Sequence, residues 1–591
     1  MHQKFEAYLK SRLPTGFPSG TTLVEEGRQM AAEIPWHKNR FLAAHGYENW
    51  FVYCQDCHRR GKEVFTVLLG LATLEEQLDA LKKIEAFCDE TGIEARSVQM
   101  IPSSLVGLPA EYWDAAPKPT SYLLRCEADW KAHEQAAVLD VCWEDWHLTS
   151  PNSLAETRYA LNAGTSRLGS FAQFHWDYPG WDDELGRFSD MFRSIGIVSA
   201  CRDQGMTVAS YPEDGLGGYF MDLCSMLGYV MLERYIIEDL CHARMTMGYG
   251  GLMPDILPRM AFGLACHTLF EQDGRQFLTY YNGSTTRQWS HDIEANYSIG
   301  TTEVLIQSIF NRKYGIHASH KPVSITEALR VPTLSELLDI VRCGAGAAER
   351  ADEWLNLIDF APFEAMRDVL IEQGTKFYQN LLSGFAACGV DIRDPLQLVL
   401  MLRRCDPGQL EQEFHPSTAS GAPFRPFVPT SLYQQTQRMQ QTLTDDLREK
   451  GYAHALRGRT VVCASADGHA YGLMLIRGVF EALDAQVIDG GVNLEPTAAL
   501  DLADEAGTPL LAVSTHCGQS LDYARQLAAL RQARHRSYRV VMGGMLNAML
   551  PGYGEPVDVS AQINALGVCA SNDLETQLLA LLEPITNKEG E

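Results

Sequence analysis

Short apolar runs alternate with stretches of helical spacing along most of the chain, and this alternation constrains the fold more than any other feature of the sequence. In the first 405 residues the strand-like runs are 138–141, 170–174, 206–210, 245–247 and 277–281. Longer stretches of helical spacing, such as 185–203 and 220–240, separate them. Strands that alternate with helices form parallel sheets, so residues 1–405 are predicted to form a (β/α)8 barrel of the TIM type.

Residues 52–131 differ from this pattern. A strong helical stretch at 74–90 lies between two strand-like runs, 64–69 and 97–101. We interpret the segment as an α+β module that is inserted into the barrel or placed before it.

The length of 591 residues exceeds what one hydrophobic core usually organises, which predicts two or three domains. Residues 407–430 are polar and rich in proline, as is typical of an extended segment, and a polar helix is expected at 431–451. We therefore place a linker and a helix at 406–456 and a second domain at 457–591.

The second domain repeats the alternation of strands and helices. Its strand-like runs are 459–465, 486–488, 509–514 and 538–542, and residues 471–483 have helical spacing. This pattern predicts a doubly wound parallel sheet of the flavodoxin-like or Rossmann-like kind. Ligands of such sheets bind at the carboxyl ends of the strands, where residues 467–472, 514–519 and 543–544 fall.

The charge balance argues against several classes of partner. The chain has 49 Lys and Arg residues against 75 Asp and Glu, and this excess of negative charge repels nucleic acids and anionic membranes. No secretory signal and no apolar run long enough to span a bilayer is found in the sequence. We expect a cytoplasmic protein whose 15 cysteines are free thiols.

The run Asp467-Gly468-His469-Ala470-Tyr471-Gly472 follows a predicted strand directly and has the form D-x-H-x-x-G. In proteins with this motif the histidine binds the cobalt of cobalamin, after the tail base of the cofactor has been displaced. The imidazole ligates through one ring nitrogen, while the other donates to the carboxylate two residues earlier and fixes the tautomer. Gly472 would let the loop approach the corrin closely. The alternative is an exposed loop at a strand end.

The terminal domain resembles the small subunit of glutamate mutase, an adenosylcobalamin-dependent enzyme, in the run DGHAYG and in a later Gly-Gln pair. The family carries an S-x-L element and a Gly-Gly pair that hold the nucleotide tail. The matching residues here are Ser514, Thr515, Gly543 and Gly544, and the leucine is replaced by His516. The resemblance implies that adenosylcobalamin is the cofactor and that its cobalt has a histidine ligand.

The N-terminal region resembles the large barrel subunit of the same family in three short segments. Arg28 lies in a Gly-Arg segment, Tyr249 in Met-Gly-Tyr-Gly, and Glu327 in a stretch that ends Val-Pro-Thr. The resemblance implies that Glu327 contacts the adenosyl ribose and that Tyr249 faces the adenosyl group or the corrin. An ordinary βα turn at 248–251 and a solvated carboxylate at the start of a helix are the alternatives.

Carboxylate substrates of the family are held by several arginines. The segments 146–149 and 206–211, where two of them are expected, contain no arginine, although Arg28 is retained. Bidentate binding of a carboxylate depends on guanidinium geometry, so glutamate itself is not the expected substrate. Near the expected site, Tyr211, Glu213, Asp214 and Tyr219 could act as acid, base or hydrogen-bonding groups. A surface loop accounts equally well for the two carboxylates.

The resemblance implies a radical 1,2-rearrangement of a small amino or carboxylic acid, in which the barrel mouth caps the reactive face of the corrin. The resemblance also implies a possible homodimer. Two other functions stay open, a methylcobalamin-dependent methyltransferase and a non-catalytic cobalamin-binding sensor or carrier. The first is disfavoured because no cysteine cluster that would bind zinc is found in the sequence.

Two further patterns have simpler interpretations. Residues 54–58 fit the haem-attachment form C-x-x-C-H, but that chemistry follows export, and a pair of loop thiols is the better interpretation. His317 and His320 have a spacing compatible with metal ligation, yet no partner motif accompanies them. We interpret both as ordinary core or solvated histidines.

Overall fold

The computed structural model describes residues 3–115, 121–178, 180–272, 276–283, 290–326, 330–467, 469–492, 494–516, 518–548, 550 and 556–583. The chain divides into two compact units, Met1–Thr430 and Ser431–Glu591. None of the helices within these described ranges combines the length and the apolar character that crossing a bilayer requires.

Within its described residues the first unit contains eight strands. They are β1 (Val64–Leu69), β2 (Glu94–Met100), β3 (Asp140–Cys142), β4 (Arg167–Leu168), β5 (Thr207–Ser210), β6 (Met245–Tyr249), β7 (Leu278–Asn282) and β8 (Ser319–Lys321). Its α-helices are α1 (Gln3–Arg12), α2 (Gly20–Met30), α3 (Arg40–His45), α4 (Trp50–Arg59), α5 (Leu74–Thr91), α6 (Glu127–Ala136), α7 (Ser153–Asn162), α8 (Glu184–Ala200), α9 (Leu223–Arg234), α10 (Ile256–Phe270), α11 (Ile293–Tyr314), α12 (Leu334–Ala348), α13 (Ala351–Trp354), α14 (Ala361–Ala387), α15 (Pro395–Arg404) and α16 (Pro407–Phe414).

The strands of this unit form one parallel sheet in the order β3-β2-β1-β8-β7-β6-β5-β4. A parallel bridge between Trp143 and Leu168 joins its two outer strands, so the sheet curls into an almost closed barrel. Each strand neighbours the next one in sequence, as in a (β/α)8 barrel, and the helices that connect the strands surround it. The predicted barrel is confirmed.

Local sequence signals fix the connecting helices. Helix α5 begins with a capping box between Thr73 and Glu76 and ends at Gly92, whose φ of +68° closes the last turn. Helix α12 begins with a second capping box, between Thr333 and Glu336. These signals place a helix directly after β1 and another directly after β8.

Three expectations about this unit need correction. The segment 52–131 is not a separate module, because β1 and β2 pair with each other, with β3 and with β8 inside the barrel. Residues 170–174 do not form a strand, because two phenylalanines three residues apart bury the same side of a 3-10 helix, Phe171–His175. Residues 407–430 are not extended throughout, because Asp406 caps the helix Pro407–Phe414.

The second unit begins with a helix, as the sequence predicts for residues 431–451. Its helices are α17 (Ser431–Glu449), α18 (Ala470–Ala482), α19 (Pro496–Glu505), α20 (Ser520–Ala533), α21 (Ser560–Ala565) and α22 (Leu574–Leu582). Its strands are β9 (Thr460–Ser465), β10 (Gln486–Asp489), β11 (Leu510–Thr515), β12 (Arg539–Gly544), β13 (Asn547–Ala548), β14 (Val557–Asp558) and β15 (Cys569–Ala570).

Five of these strands form a parallel sheet in the order β10-β9-β11-β12-β15, the strand order of flavodoxin-like doubly wound folds. Successive residues point to opposite faces, so Val462 and Val513 pack in one core while Val461 and Ala512 pack in the other. The strand order reverses between β9 and β11, which opens a crevice at their carboxyl ends.

Candidate functional site

The crevice of the second unit holds a coupled carboxylate and imidazole. Asp467, which follows β9, is 3% exposed, whereas the His469 side chain at the start of α18 is 49% exposed. One oxygen of Asp467 lies 2.8 Å from Nδ1 of His469 and also accepts the backbone N–H of His469, at 3.1 Å. A carboxylate acceptor requires the ring hydrogen on Nδ1, so a metal would be coordinated through Nε2.

The same carboxylate ties together the loops that follow β9 and β11. Its second oxygen accepts the backbone N–H of His516. The rings of His469 and His516 lie 4.1 Å apart, centroid to centroid, and are tilted by 37°. The histidine that replaces the family's leucine therefore contacts the candidate cobalt ligand.

Glycines around this crevice let neighbouring atoms approach the backbone more closely than any side chain would allow. A Cβ atom on Gly472 would lie 2.2 Å from Oγ of Ser514, and one on Gly544 would lie 2.1 Å from the carbonyl oxygen of Thr515. Gly544 also has a φ of +100°, a conformation that favours glycine. Gly543 precedes it at the end of β12, and a Cβ there would approach the Gln577 amide to 2.6 Å.

Two buried hydroxyls lie at the ends of the central strands. Oγ of Ser465 and Oγ1 of Thr515 are buried, and neither has a hydrogen-bond partner among the residues that the structure describes. Because a buried hydroxyl without a partner is costly, these atoms fit a ligand that brings polar groups into the crevice. Asp467, His469, Ser514 and the Gly543–Gly544 pair thus suit a cobalamin whose tail base is displaced. Gly468 lies outside the described residues.

The interior of the barrel is filled by charges that neutralise one another. Arg167 of β4 pairs with Asp140 of β3, at 2.9 Å, and with Glu144. Nζ of Lys321, at the end of β8, lies 2.5 Å from Glu144 and 2.5 Å from the Gln99 amide oxygen. Burial opposes ionisation of Glu144, but the two cations outweigh it and lower its pKa to about 2.

Tyr211 and Glu213 lie in the loop that follows β5. The Tyr211 hydroxyl donates to Glu213 at 2.5 Å and accepts the N–H of Gly251 at 3.0 Å. Glu213 also accepts the N–H groups of Gly250 and Leu252, which follow β6. Burial raises the pKa of Glu213 in spite of these bonds. The interactions hold both side chains at the carboxyl ends of β5 and β6, where TIM barrels carry their active sites.

Three more polar side chains meet on this face, and sequence reasoning missed two of them, Asp145 and Gln173. Nε2 of Gln173 donates to Asp145 at 2.6 Å and to Asp214 at 3.2 Å. Burial and the nearby charge of Asp145 raise the pKa of Asp214 to about 8. The signal that could have found Asp145 is an acidic residue shortly after a predicted strand, 138–141.

Two residues expected at the site lie elsewhere. Arg28 on α2 donates to Ser199 on α8, at 2.9 Å, and the Ser199 hydroxyl donates to the carbonyl of His242, shortly before β6 begins. Arg28 is therefore near the amino ends of the strands, where it stabilises the packing of two helices. Tyr249 points outward from β6, because its ring packs against Phe262 of α10, 5.7 Å away. Neither position suits contact with substrate or corrin.

The other two barrel candidates can be placed only in part. Tyr219 lies in the 3-10 turn Leu216–Tyr219, and its ring centroid is 6.2 Å from that of His175. It is half-buried, in the same loop as Tyr211 and Glu213. Glu327 lies outside the described residues.

The cysteine pair and the histidines have structural surroundings. Both cysteines of residues 54–58 are buried in α4. Nδ1 of His58 lies 3.3 Å from Nδ1 of His317, and Nε2 of His320 lies 3.0 Å from Glu63, which precedes β1. In the described part of the chain, no group of three or more His, Cys, Asp and Glu side chains is arranged to hold a metal ion.

Comparison with known families bears on the crevice of the second unit. Residues 459–554 match the family model of the B12 binding domain, a range that contains Asp467, His469, Ser514 and Gly544. No curated protein matches the chain. The second unit therefore carries a B12 binding domain, and this domain supports a cobalamin-binding protein.

Proposed function

We propose that this chain is an adenosylcobalamin-dependent carbon-skeleton mutase, an isomerase that rearranges a small amino or carboxylic acid other than glutamate. The observation that carries the proposal is the pairing of His469 with Asp467 at the switch point of a B12 binding domain. The same chain supplies an eight-stranded barrel, a fold whose strand ends commonly bind substrates.

The residues of the second unit would hold the cofactor. His469 would coordinate cobalt through Nε2, and Asp467 would fix the ring's tautomer and orientation. The hydroxyls of Ser514 and Thr515 and the closely packed backbone at Gly543 and Gly544 would hold the nucleotide tail. When bound, adenosylcobalamin supplies the radical chemistry that removes a hydrogen from the substrate and returns it.

The residues of the barrel would bind and orient the substrate. The Tyr211 hydroxyl donates to Glu213 and accepts the N–H of Gly251. These two bonds fix the orientation of the hydroxyl at the strand ends. Lys321 and Arg167 are already engaged by Glu144. These two cations therefore contribute to the shape and rigidity of the site. A substrate carboxylate would have to displace Glu144 in order to bind them.

The first test is to reconstitute the purified full chain with adenosylcobalamin in the dark and record its absorbance spectrum. We expect the spectrum of a cobalamin with histidine in place of its tail base, and we expect His469→Ala to abolish it. His454→Ala is the matched control, because His454 also pairs with an aspartate, Asp484, at 2.8 Å. An unchanged spectrum in His469→Ala would overturn the assignment of the cobalt ligand.

The second test separates a mutase from the other cobalamin proteins. We expect electron paramagnetic resonance to detect a radical when the reconstituted chain is mixed with its substrate, sought among amino acids and small carboxylic acids. Methyl transfer from methylcobalamin to an acceptor, with no radical signal, would establish a methyltransferase instead. Cobalamin binding that changes partner binding in the light, again with no radical signal, would establish a sensor.

A further inference from the structure

Asp145, Gln173 and Asp214 form a group on the strand-end face of the barrel to which the proposed function gives no role. Each belongs to a different loop, the three that follow β3, β4 and β5. Because these strands are neighbours in the barrel, their loops meet although 69 residues separate the first member from the last. We call these three residues the acidic triad.

The amide at the centre of the acidic triad has a fixed orientation. Its nitrogen donates to both carboxyl groups, and ionised carboxylates only accept hydrogen bonds, so the amide keeps this orientation when the two aspartates are ionised. Gln173 is 2% exposed, and its Oε1 has no hydrogen-bond partner in the described part of the chain. A buried acceptor without a partner, on an amide whose nitrogen is bonded to two carboxyl groups, calls for a hydrogen-bond donor.

No ion pair neutralises the acidic triad within the described residues. No Lys or Arg in the described ranges forms an ion pair with Asp145 or Asp214, and Lys321 and Arg167 are held by Glu144. Burial raises the pKa of Asp145, and burial together with the nearby charge of Asp145 raises the pKa of Asp214. The surrounding loops desolvate the Asp214 carboxyl group, but part of the residue stays open to solvent, so a ligand can reach it.

We propose that the acidic triad binds the protonated amino group of the substrate. An alkylammonium ion carries one positive charge and three N–H donors. The three acceptors are a carboxylate oxygen of Asp145, a carboxylate oxygen of Asp214 and Oε1 of Gln173. The inference rests on the proposed function in one respect, that the substrate binds at the strand ends of the barrel, and it narrows the substrate class to amines and amino acids.

The test uses the full chain and three probes of equal chain length, butylammonium, 1-butanol and butyrate. Binding is measured by ligand-observed nuclear magnetic resonance, with and without adenosylcobalamin. We expect butylammonium to bind and the other two probes not to bind. Asp214→Asn and Gln173→Met should each weaken butylammonium binding by about tenfold or more, because each removes one acceptor of a charged donor. Asp203→Asn, at an exposed aspartate away from the triad, is the matched control and should leave binding unchanged.

Circular dichroism of each variant checks that the barrel is folded, and Asp145→Asn provides an independent test should another variant misfold. Equal binding of butylammonium and 1-butanol, or full binding by folded Asp214→Asn, would overturn the proposal. A cobalamin spectrum without amine binding would overturn the amine site alone. Amine binding without a cobalamin spectrum would support the amine site and count against the mutase.

Discussion

The barrel and the B12 binding domain both place polar side chains at the carboxyl ends of parallel strands, but the kinds of residue differ. The barrel closes on itself, so the side chains inside it have to satisfy one another, and Arg167, Glu144 and Lys321 form a buried network. The open sheet of the second unit leaves a crevice at its switch point, lined by glycines, by hydroxyls and by a half-exposed imidazole, that of His469.

The difference shows how the two surfaces respond to a ligand. Cations in the barrel network are already neutralised, so that network provides rigidity, and new binding depends on groups beside it such as Asp214. In the crevice, the hydroxyls of Ser465 and Thr515 have unused hydrogen-bonding capacity. Neighbouring atoms also approach the backbone closely there, because glycine lacks a side chain. Mutations should therefore change folding stability in the barrel and cofactor affinity in the crevice.

The largest effect is expected from Arg167→Met, which leaves Asp140 and Glu144 with one cation fewer in a buried site. The barrel should lose about 3–5 kcal/mol of unfolding free energy, the usual cost of breaking a buried charge network. Urea unfolding followed by tryptophan fluorescence measures this unit alone, because all ten tryptophans precede residue 431. The control Lys83→Met removes an exposed ion pair and should cost less than about 0.5 kcal/mol. Equal losses in both variants would show that the network does not stabilise the barrel.

A second test contrasts the paired carboxylate Glu144 with a buried one, Glu233, that forms no ion pair in the described part of the chain. Burial raises the pKa of Glu233 to about 7, although Ser210 donates to it at 2.7 Å. A carboxyl whose pKa is higher in the folded state stabilises the fold at low pH, and this contribution is lost as the pH rises from about 4.5 to about 7. Glu233→Gln should therefore gain about 3 kcal/mol relative to the parent over that interval. Parallel pH profiles of the two proteins would contradict the assignment.

Gly544→Ala tests the close approach of backbone in the crevice. Its Cβ would overlap the carbonyl of Thr515, so β11 and β12 would have to separate at their ends, and cobalamin affinity should fall about tenfold, or by about 1.4 kcal/mol. Gly458→Ala is the control, because Gly458 also has a positive φ, +74°, but no atom within 4 Å of the added carbon. Absorbance titration with cobalamin measures both. A similar loss in the control would mean that backbone conformation, rather than the contact, is responsible.

The smallest effect is expected from His516→Leu, which restores the residue of the resembled family. The backbone N–H of residue 516 still reaches Asp467, so only the ring contact with His469 is lost. Aromatic pairs contribute about 1 kcal/mol, so loss of this contact should raise the cobalamin Kd roughly fivefold. A loss as complete as that of His469→Ala would show that His516 is itself required for cofactor binding.

Regular elements were predictable where local patterns agree with tertiary packing. The strand-like run 64–69 coincides with β1, yet its membership of the barrel was missed. Pairing between β1 and β8 joins segments about 250 residues apart, and no local pattern reports such a contact. For the same reason the sequence did not show that Tyr249 packs against α10, since one residue of register decides whether a side chain faces the interior or a helix.

The sequence by itself determined the general alternation of strands and helices and the His469–Asp467 motif, because each is written in consecutive or nearly consecutive residues. Only the tertiary structure decided which polar residues meet in the barrel. Asp145, Gln173 and Asp214 come from three loops, and their pairing depends on barrel closure, which brings the strand ends together. Chain proximity is encoded locally, whereas convergence at the strand ends depends on how all eight strands pack.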